Sequence, residues 1–135
     1  AVGAGKGGKS AENVDVAGFV TSAVSDNTKE AIDANKQFLA YIFRNVHHAE
    51  NIRLGGGKVD QEGLAVAVGK RDWETAKNFI TDEVVFAHSV AGTPSECSKQ
   101  LEAFTKGGLD LPIVLPTGTQ EARKRVVRMV REIVG

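Results

Sequence analysis

Two stretches of the chain have the hydrophobic pattern of buried parallel strands. Residues 14–24 are almost continuously apolar and β-branched, with Asp15 as the only charge. Such a run is typical of a strand that is covered on both faces. Residues 109–115 form the second run, and Pro112 lies near its start, where a missing backbone donor does least harm. Helical patterns lie between and after these runs. This order predicts an α/β fold with two parallel strands joined by a right-handed crossover.

Helix signals are clear after the first strand. Asn27 is a good N-cap, and Glu30 three residues later resembles a capping box. The helix is predicted to run to about Val46, with an inward stripe made of Ala31, Ala34, Phe38, Tyr41 and Ile42. Residues 47–60 have no period, and Gly55-Gly56-Gly57 predicts a flexible loop within them.

Three shorter helical patterns precede the second strand. They cover residues 64–69, 72–80 and 82–90. A sharper signal follows, because Thr93 is an N-cap, Pro94 suits the first helical position and Glu96 completes a capping box. This helix is predicted to end at Gly107-Gly108. The last helix is predicted over residues 120–134, with Ala122, Val126, Met129, Val130 and Ile133 inward.

Composition excludes some classes of function. The 17 basic and 17 acidic residues balance, so nothing favours binding to nucleic acid or to an anionic membrane. The single cysteine, Cys97, cannot form an internal disulfide, which suits a reducing, cytoplasmic setting. No apolar run approaches the roughly 18 residues of a membrane span, and no signal peptide is visible. Because the sequence starts at Ala1, we expect a processed, truncated or internal segment.

The first ten residues contain a match to a nucleotide-binding motif. Residues 3–10 fit the pattern G-x-x-x-x-G-K-S. A working P-loop also needs a buried strand before the glycines and a helix that opens at the lysine. Only Ala1 and Val2 precede this match, and the first strand begins soon after it. A plain loop is the favoured interpretation, and nucleotide binding through Gly8-Lys9-Ser10 stays an alternative.

Other chemically active side chains give weak signals. His47 and His48 are adjacent, so on a helix they point about 100° apart, which is poor geometry for metal ligation. Their spacing to His88 and Cys97 fits no metal motif, and Cys97 is expected to be a small buried hydrophobe. Trp73 is interpreted as packing at helical spacing rather than as a functional aromatic residue.

Several segments resemble a known family. They are Asp15-Val16-Ala17-Gly18-Phe19-Val20, Ser25-Asp26-Asn27-Thr28-Lys29-Glu30-Ala31, and above all Ala91-Gly92-Thr93-Pro94-Ser95-Glu96-Cys97 continuing through Gly108-Leu109-Asp110 to Pro116. Together they resemble the C-terminal part of the bacterial-luciferase-like oxidoreductases and monooxygenases, near the deazaflavin-dependent methylenetetrahydromethanopterin reductases. That resemblance implies part of a (β/α)8 TIM barrel. Residues 14–24 would be the seventh strand, residues 109–115 the eighth, and the helices between them a long crossover.

The resemblance also implies a chemistry. This family transfers hydride between a flavin or deazaflavin and a small organic substrate, with the cofactor ring at the C-terminal mouth of the barrel. FMN or a deazaflavin coenzyme is the implied cofactor. The rim residues implied to contact it are Thr21, Ser22 and Ser25 after the first strand, and Thr117 and Gly118 after the second. No general acid or base is evident among them.

The sequence lacks the first six strands of such a barrel, so we expect it to be incomplete as an enzyme by itself. Two strands with helices on one side would leave apolar faces and strand edges uncovered, and exposed edges invite pairing. Association with the missing barrel portion, or with a second copy in a homo-oligomer, is the expected consequence. A non-catalytic oligomeric module built on a partial barrel is the alternative from another class.

Overall fold

The computed structural model describes residues 17–134, which form three parallel strands and seven α-helices. The strands are β1 (Ala17–Val24), β2 (Ser89–Gly92) and β3 (Leu111–Pro116). The helices are α1 (Thr28–Phe43), α2 (Ala49–Leu54), α3 (Gln61–Gly69), α4 (Trp73–Asn78), α5 (Asp82–His88), α6 (Pro94–Lys106) and α7 (Gln120–Val134), with a 3₁₀ turn at Val46–His48. None of these helices is long and apolar enough to cross a membrane.

Both predicted strands are present and pair with each other. β1 and β3 run parallel, in register from Ala17 opposite Leu111 to Ser22 opposite Pro116. Residues 14–16 of the predicted first strand lie outside the described residues, as does the glycine- and lysine-rich match at residues 3–10.

A third strand, β2, was not predicted. Its first two residues were assigned to a helix over residues 82–90, but α5 ends at His88 and Ser89 is fully extended. β2 pairs with the C-terminal half of β1, from Thr21 opposite Ser89 to Val24 opposite Gly92. The prediction was wrong here because four residues carry no readable period. The hydrogen bonds that define this strand come from β1.

Helices cover both faces of the sheet, which corrects the expectation that they lie on one side. One core cluster joins the sheet to α6 and α7 and consists of Val20, Val24, Val90, Cys97, Leu101, Val126 and Met129. On the opposite face, Ala23 and Ala91 pack into a larger cluster with α1 to α5. Because β2 and β3 flank β1 on opposite sides, right-handed crossovers place their helices on opposite faces.

Part of the sheet face that packs against α1 to α5 stays uncovered. Phe19 is 71% exposed, and Leu111, Ile113 and Leu115 of β3 are exposed beside it. These four side chains, called the open face below, point away from α6 and α7. Large apolar side chains gathered on one sheet face are usually buried by a partner element.

The outer edge of β3 carries few backbone donors. Successive residues of a parallel strand direct their backbone groups alternately to the two sides. The Thr117 N–H donates to the Ser22 carbonyl at 2.9 Å, so the even-numbered residues of β3 face outward. Pro112 and Pro116 are two of these residues, and prolines have no N–H to donate. Val114 is therefore the remaining donor in β3 on this edge, which is blunted against added strands.

Helix α1 begins as predicted at Asn27. The Asn27 Oδ1 atom accepts from the N–H groups of Lys29 at 3.0 Å and Glu30 at 3.4 Å. The Glu30 carboxylate accepts from the Ser25 hydroxyl at 3.1 Å instead of closing a reciprocal capping box. The helix ends at Phe43, three residues before the predicted end.

The buried face of α1 differs from the predicted stripe. Its buried side chains are Ala31, Asn35, Leu39, Ala40 and Phe43. The stripe placed Phe38 and Tyr41 inward, but Phe38 is half-buried and Tyr41 is 51% exposed. Apolar residues cover more than half of this helix, so helical spacing alone did not distinguish the side facing the core from the side facing a cleft.

The irregular stretch after α1 contains more structure than predicted. Helix α2 lies inside residues 47–60, for which the sequence showed no period, and the 3₁₀ turn at Val46–His48 overlaps their start. Helix α2 has six residues and buries only Ile52, so its amphipathic signal is weak. Helices α3 and α4 confirm the predicted patterns, and Asp60 and Asp72 cap them.

The capping signal at α6 is confirmed in full. The Thr93 hydroxyl accepts from the Glu96 N–H at 3.3 Å, and the Glu96 carboxylate accepts from the Thr93 N–H at 3.0 Å. Pro94 is the first helical residue, and the helix ends at Lys106. Helix α7 spans the predicted residues and buries Val126 and Met129.

Candidate functional site

A cleft of about 860 Å³ opens at the C-terminal ends of β1 and β3. Helix α1 forms one wall with Ala34, Gln37, Phe38 and Tyr41. The turn after β3 and the first residues of α7 form the other wall. Trp73 of α4 also lines the cleft. The cleft thus lies where parallel α/β folds place their binding sites, beyond the carboxyl ends of the strands.

A buried polar network borders the cleft at Thr117. Asn35 is fully buried, and its Nδ2 atom donates to the Ser89 hydroxyl at 3.0 Å and to the Val90 carbonyl at 2.8 Å. Its Oδ1 atom accepts from the Thr117 hydroxyl at 2.7 Å. The Thr117 backbone is held in turn by the Ser22 carbonyl. The network therefore connects α1 to β2 on one side of β1 and to the end of β3 on the other.

The turn that follows Thr117 needs a glycine. Gly118 has a φ of +89°, a conformation that is strained for other residues. A β-carbon there would lie 3.3 Å from the Cβ of Ala122 and 3.7 Å from that of Ala34. The Gly118 carbonyl also accepts from the Arg123 Nε at 3.2 Å. Gly118 thus lies close to Ala34 of α1 and to Ala122 of α7.

The structure brings together three of the five predicted rim residues. Ser25, Thr117 and Gly118 all line the cleft. Thr21 instead lines a second cavity on the open face. Ser22 is fully buried, and its hydroxyl donates back to the Val20 carbonyl at 3.2 Å. Their contacts with a cofactor stay predictions.

Sequence reasoning missed the aromatic wall of the cleft. Phe38, Tyr41 and Trp73 line it together, although Trp73 also packs against the larger core cluster. The spacing of Phe38 and Tyr41 was the available signal, and it was interpreted as core. The interpretation of Trp73 as a packing residue describes only part of its surroundings.

Two of the charged side chains that line the cleft, Asp33 and Arg125, are in ion pairs. The Lys77 ammonium lies 3.0 Å from the carboxylates of both Asp33 and Glu74. Glu74 and then Asp33 raise the pKa of Lys77. The Arg125 guanidinium pairs with Asp26 at 2.6 Å, and this hydrogen bond raises the pKa of Arg125.

A second set of contacts fixes the ends of β1 and β2. The Ser25 N–H donates to the Gly92 carbonyl at 3.0 Å. The Thr28 hydroxyl donates to the Glu96 carboxylate at 2.7 Å and so joins the starts of α1 and α6. The Thr93 N–H, followed by the Thr28 hydroxyl, lowers the pKa of Glu96, which stays ionised and holds both helices.

The second cavity has a volume of about 750 Å³ and lies between α1, α2, α5 and the open face. Phe19, Thr21 and Leu115 line it from the sheet, and His88 lines it from α5. Burial lowers the pKa of His88. Its buried Nε2 atom has no hydrogen-bond partner within residues 17–134. The neutral imidazole is therefore the favoured form in the folded chain.

Cys97 is a structural residue, as predicted. It is fully buried in the cluster below α6, and its Sγ lies 3.5 Å from the Ala23 carbonyl. Burial, with a smaller effect of Glu96, raises the pKa of the Cys97 thiol to about 12. Such a thiol is a poor nucleophile. In the part of the chain that the structure describes, no three His, Cys, Asp or Glu side chains are grouped to hold a metal ion.

The parallel sheet, its covering helices and the cleft at the strand ends define a segment of an α/β protein. The model of the luciferase-like monooxygenase family matches residues 1–111. The chain therefore belongs to the luciferase-like monooxygenase family, which confirms the resemblance found in the sequence.

The chain is similar to three 5,10-methylenetetrahydromethanopterin reductases. It is 26% identical to the Methanopyrus kandleri protein over 98% of this chain and 38% of that protein. Identity is 22% to the Archaeoglobus fulgidus protein, over 98% of this chain and 41% of that protein. Identity is 23% to the Methanolobus tindarius protein, over all of this chain and 42% of that protein. The chain thus spans about two fifths of the length of these relatives.

A solved structure supports the same placement. The coenzyme F420 dependent tetrahydromethanopterin reductase from Methanopyrus kandleri superposes with a TM-score of 0.74 at 25% identity. The superposition covers 97% of this chain and 39% of that chain. It confirms the predicted fold class, a partial (β/α)8 TIM-barrel segment with parallel strands and several helices.

Proposed function

We propose that this chain supplies part of the active site of an oxidoreductase in which hydride passes between a deazaflavin and a small organic substrate. The observation that carries the proposal is its likeness to a coenzyme F420 dependent reductase over 97% of the chain. The position of the cleft supports it, because (β/α)8 enzymes hold their active sites at the C-terminal ends of the strands.

The cleft suits a cofactor with a flat ring system. Its volume of about 860 Å³ lies within the roughly 300–1,000 Å³ typical of small-molecule sites. Phe38, Tyr41 and Trp73 offer aromatic surfaces on which such a ring packs. A bound deazaflavin, or FMN as the second candidate, would supply the centre that accepts or donates hydride.

The residues of this chain would bind and orient rather than transfer protons. Ser25 and Thr117 bring hydroxyl groups to the cleft, and Gly118 lets the backbone approach a ligand closely. The aromatic wall would exclude water from the reacting atoms. This division of labour is usual for enzymes whose cofactor carries the chemistry.

Completion of the site needs more protein than this chain. The open face exposes Phe19, Leu111, Ile113 and Leu115. The chain also spans only 39% of the reductase that it superposes on. In the proposal, further barrel strands cover this face, from the same polypeptide or from a separate one. Self-association of the chain is the competing way to bury it.

Trp73 gives a direct test of cofactor binding. It is the single tryptophan of the chain and it lines the cleft. Titration of the purified chain with oxidised coenzyme F420 is expected to quench Trp73 fluorescence to saturation, and FMN is titrated in parallel. Tighter binding of F420 supports the deazaflavin assignment, and tighter binding of FMN replaces it with the flavin.

A pair of matched variants locates the binding. Gln37→Phe adds bulk on the α1 wall at an exposed cleft position, whereas Ala103→Phe adds the same ring at an exposed position of α6. We expect at least a tenfold loss of F420 affinity in the first and less than a twofold change in the second. Equal affinities of both variants would contradict binding in this cleft.

Two further outcomes identify the alternatives. Self-association without binding of either cofactor would favour a non-catalytic oligomeric module. Binding of ATP that is lost in Lys9→Ala would favour nucleotide binding through the match at residues 3–10.

A further inference from the structure

The buried amide of Asn35 connects α1 to Thr117, a residue that lines the cleft. It lies on the face of α1 that otherwise buries apolar groups such as Leu39 and Phe43. A buried amide stabilises a fold only if its hydrogen-bonding groups are satisfied, and an apolar side chain of similar shape is often as good for stability. The three hydrogen bonds of Asn35 therefore point to a need for a defined geometry.

These hydrogen bonds have a fixed direction. The two protons on Nδ2 go to the Ser89 hydroxyl and the Val90 carbonyl. This leaves Oδ1 as an acceptor for the Thr117 hydroxyl, over the shortest of the three distances, 2.7 Å. The same hydroxyl lies 3.2 Å from the Ser22 carbonyl, which is the longer of its two contacts. Because the Val90 carbonyl accepts only, the amide cannot be turned over without the loss of that bond.

The consequence is a fixed distance between the walls of the cleft. Asn35 belongs to α1, the first wall, and Thr117 begins the turn that forms the second wall. The adjacent residues are also close together, since a β-carbon added at Gly118 would lie 3.7 Å from the Cβ of Ala34. We propose that Asn35 is a positioning residue, which holds the Thr117 hydroxyl and so sets the width of the cleft for its ligand. This inference rests on the proposed function of the cleft.

Hydrogen exchange on the full chain without ligand tests the positioning directly. The Thr117 amide, which donates to the Ser22 carbonyl, reports on the turn, and the amides of α6 report on global stability. At pH 7.5, Thr117→Val is expected to lower the protection factor of residue 117 at least tenfold. Thr117→Ser, which keeps the hydroxyl, should stay within threefold of the unaltered chain.

Asn35→Asp separates positioning from bulk. The variant keeps the shape and the Oδ1 acceptor but places a carboxylate against the Val90 carbonyl. At pH 7.5 we expect at least tenfold lower protection at Thr117. At pH 5.0 uptake of a proton by the buried carboxyl restores one donor, and protection should return to within threefold of the unaltered chain at that pH. Asn78→Asp, at an exposed position of α4, is the matched control and should change neither value.

Ligand affinity provides the second measurement. F420 titrations followed by Trp73 fluorescence should weaken at least tenfold in Asn35→Asp at pH 7.5, although Asn35 is fully buried and cannot touch the ligand. Unchanged protection at Thr117 in Thr117→Val, or an equal loss in Thr117→Ser, would overturn the positioning role. So would F420 affinity that Asn35→Asp leaves intact. Absence of F420 binding in the unaltered chain would refute the proposed function, and the exchange data would still decide the role of Asn35.

Discussion

The imidazole of His88 lies directly against the backbone of Gly55. A β-carbon on residue 55 would come within 2.5 Å of the His88 Nε2 atom, closer than any ordinary contact. The next two glycines are constrained as well, since Gly56 has a φ of +79° and a β-carbon on Gly57 would lie 2.8 Å from Val84 Cγ2. Gly55 and Gly57 thus lie close to α5, whereas a β-carbon on Gly56 would meet nothing within 4 Å. The flexibility predicted for this loop stays a prediction.

We predict that Gly55→Ala destabilises the chain by about 1–3 kcal/mol, because the added methyl group forces His88 or the turn to move. Gly69→Ala is the control, since a β-carbon at Gly69 meets nothing within 4 Å. At the end of α3 it should be neutral or stabilising by up to about 1 kcal/mol. Urea unfolding monitored by circular dichroism measures both. Equal free energies of unfolding for the two variants would show that the contact between Gly55 and His88 is not tight.

The same histidine makes stability depend on pH. Burial lowers the pKa of His88 below its ordinary 6.5, so between the two values the folded chain binds fewer protons than the unfolded chain. The neutral His88 side chain therefore makes its full contribution to the free energy of unfolding above about pH 6.5. This contribution is lost as the pH falls toward the lowered pKa.

Urea unfolding between pH 7.5 and pH 5.0 is expected to show this loss as a falling free energy of unfolding. In His88→Gln the free energy of unfolding should vary less with pH. In His47→Gln, at an exposed position, it should vary with pH as in the unaltered chain. A steeper loss in His88→Gln than in the unaltered chain would contradict the assignment.

Cys97 is predicted to resist thiol reagents in the folded chain. With its pKa raised to about 12 by burial, only about one thiol in 10⁴ is ionised at pH 8. Ellman's reagent should therefore give no signal within minutes under native conditions and a full equivalent in 6 M urea. Rapid native reaction would mean that α6 opens readily from the sheet.

The prolines of β3 are predicted to limit self-association. Pro112→Val adds an outward N–H to the strand edge and should increase the sedimentation coefficient at high protein concentration. Pro94→Ala, which removes a proline from the first position of α6, should leave it unchanged. If the sedimentation coefficient of Pro112→Val matched that of the unaltered chain, the β3 edge would not limit association.

The sequence determined those elements whose signals are local. Thr93, Pro94 and Glu96 specify the start of α6 by hydrogen bonds and a φ angle within four residues. The continuous apolar runs of β1 and β3 likewise predicted parallel strands. The segments quoted for the family resemblance were local as well, and they led to the correct family and fold class.

Tertiary structure decided what depends on partners distant in the chain. β2 is a strand because β1 supplies its hydrogen bonds. Asn35 faces the core because residues far along the chain, Ser89, Val90 and Thr117, supply the partners that a buried amide requires. Helical periodicity gives the angle between side chains on a helix, but the surrounding chain decides which angle faces the interior. The candidate site could therefore be predicted as a position at the strand ends, whereas its walls and their spacing could not.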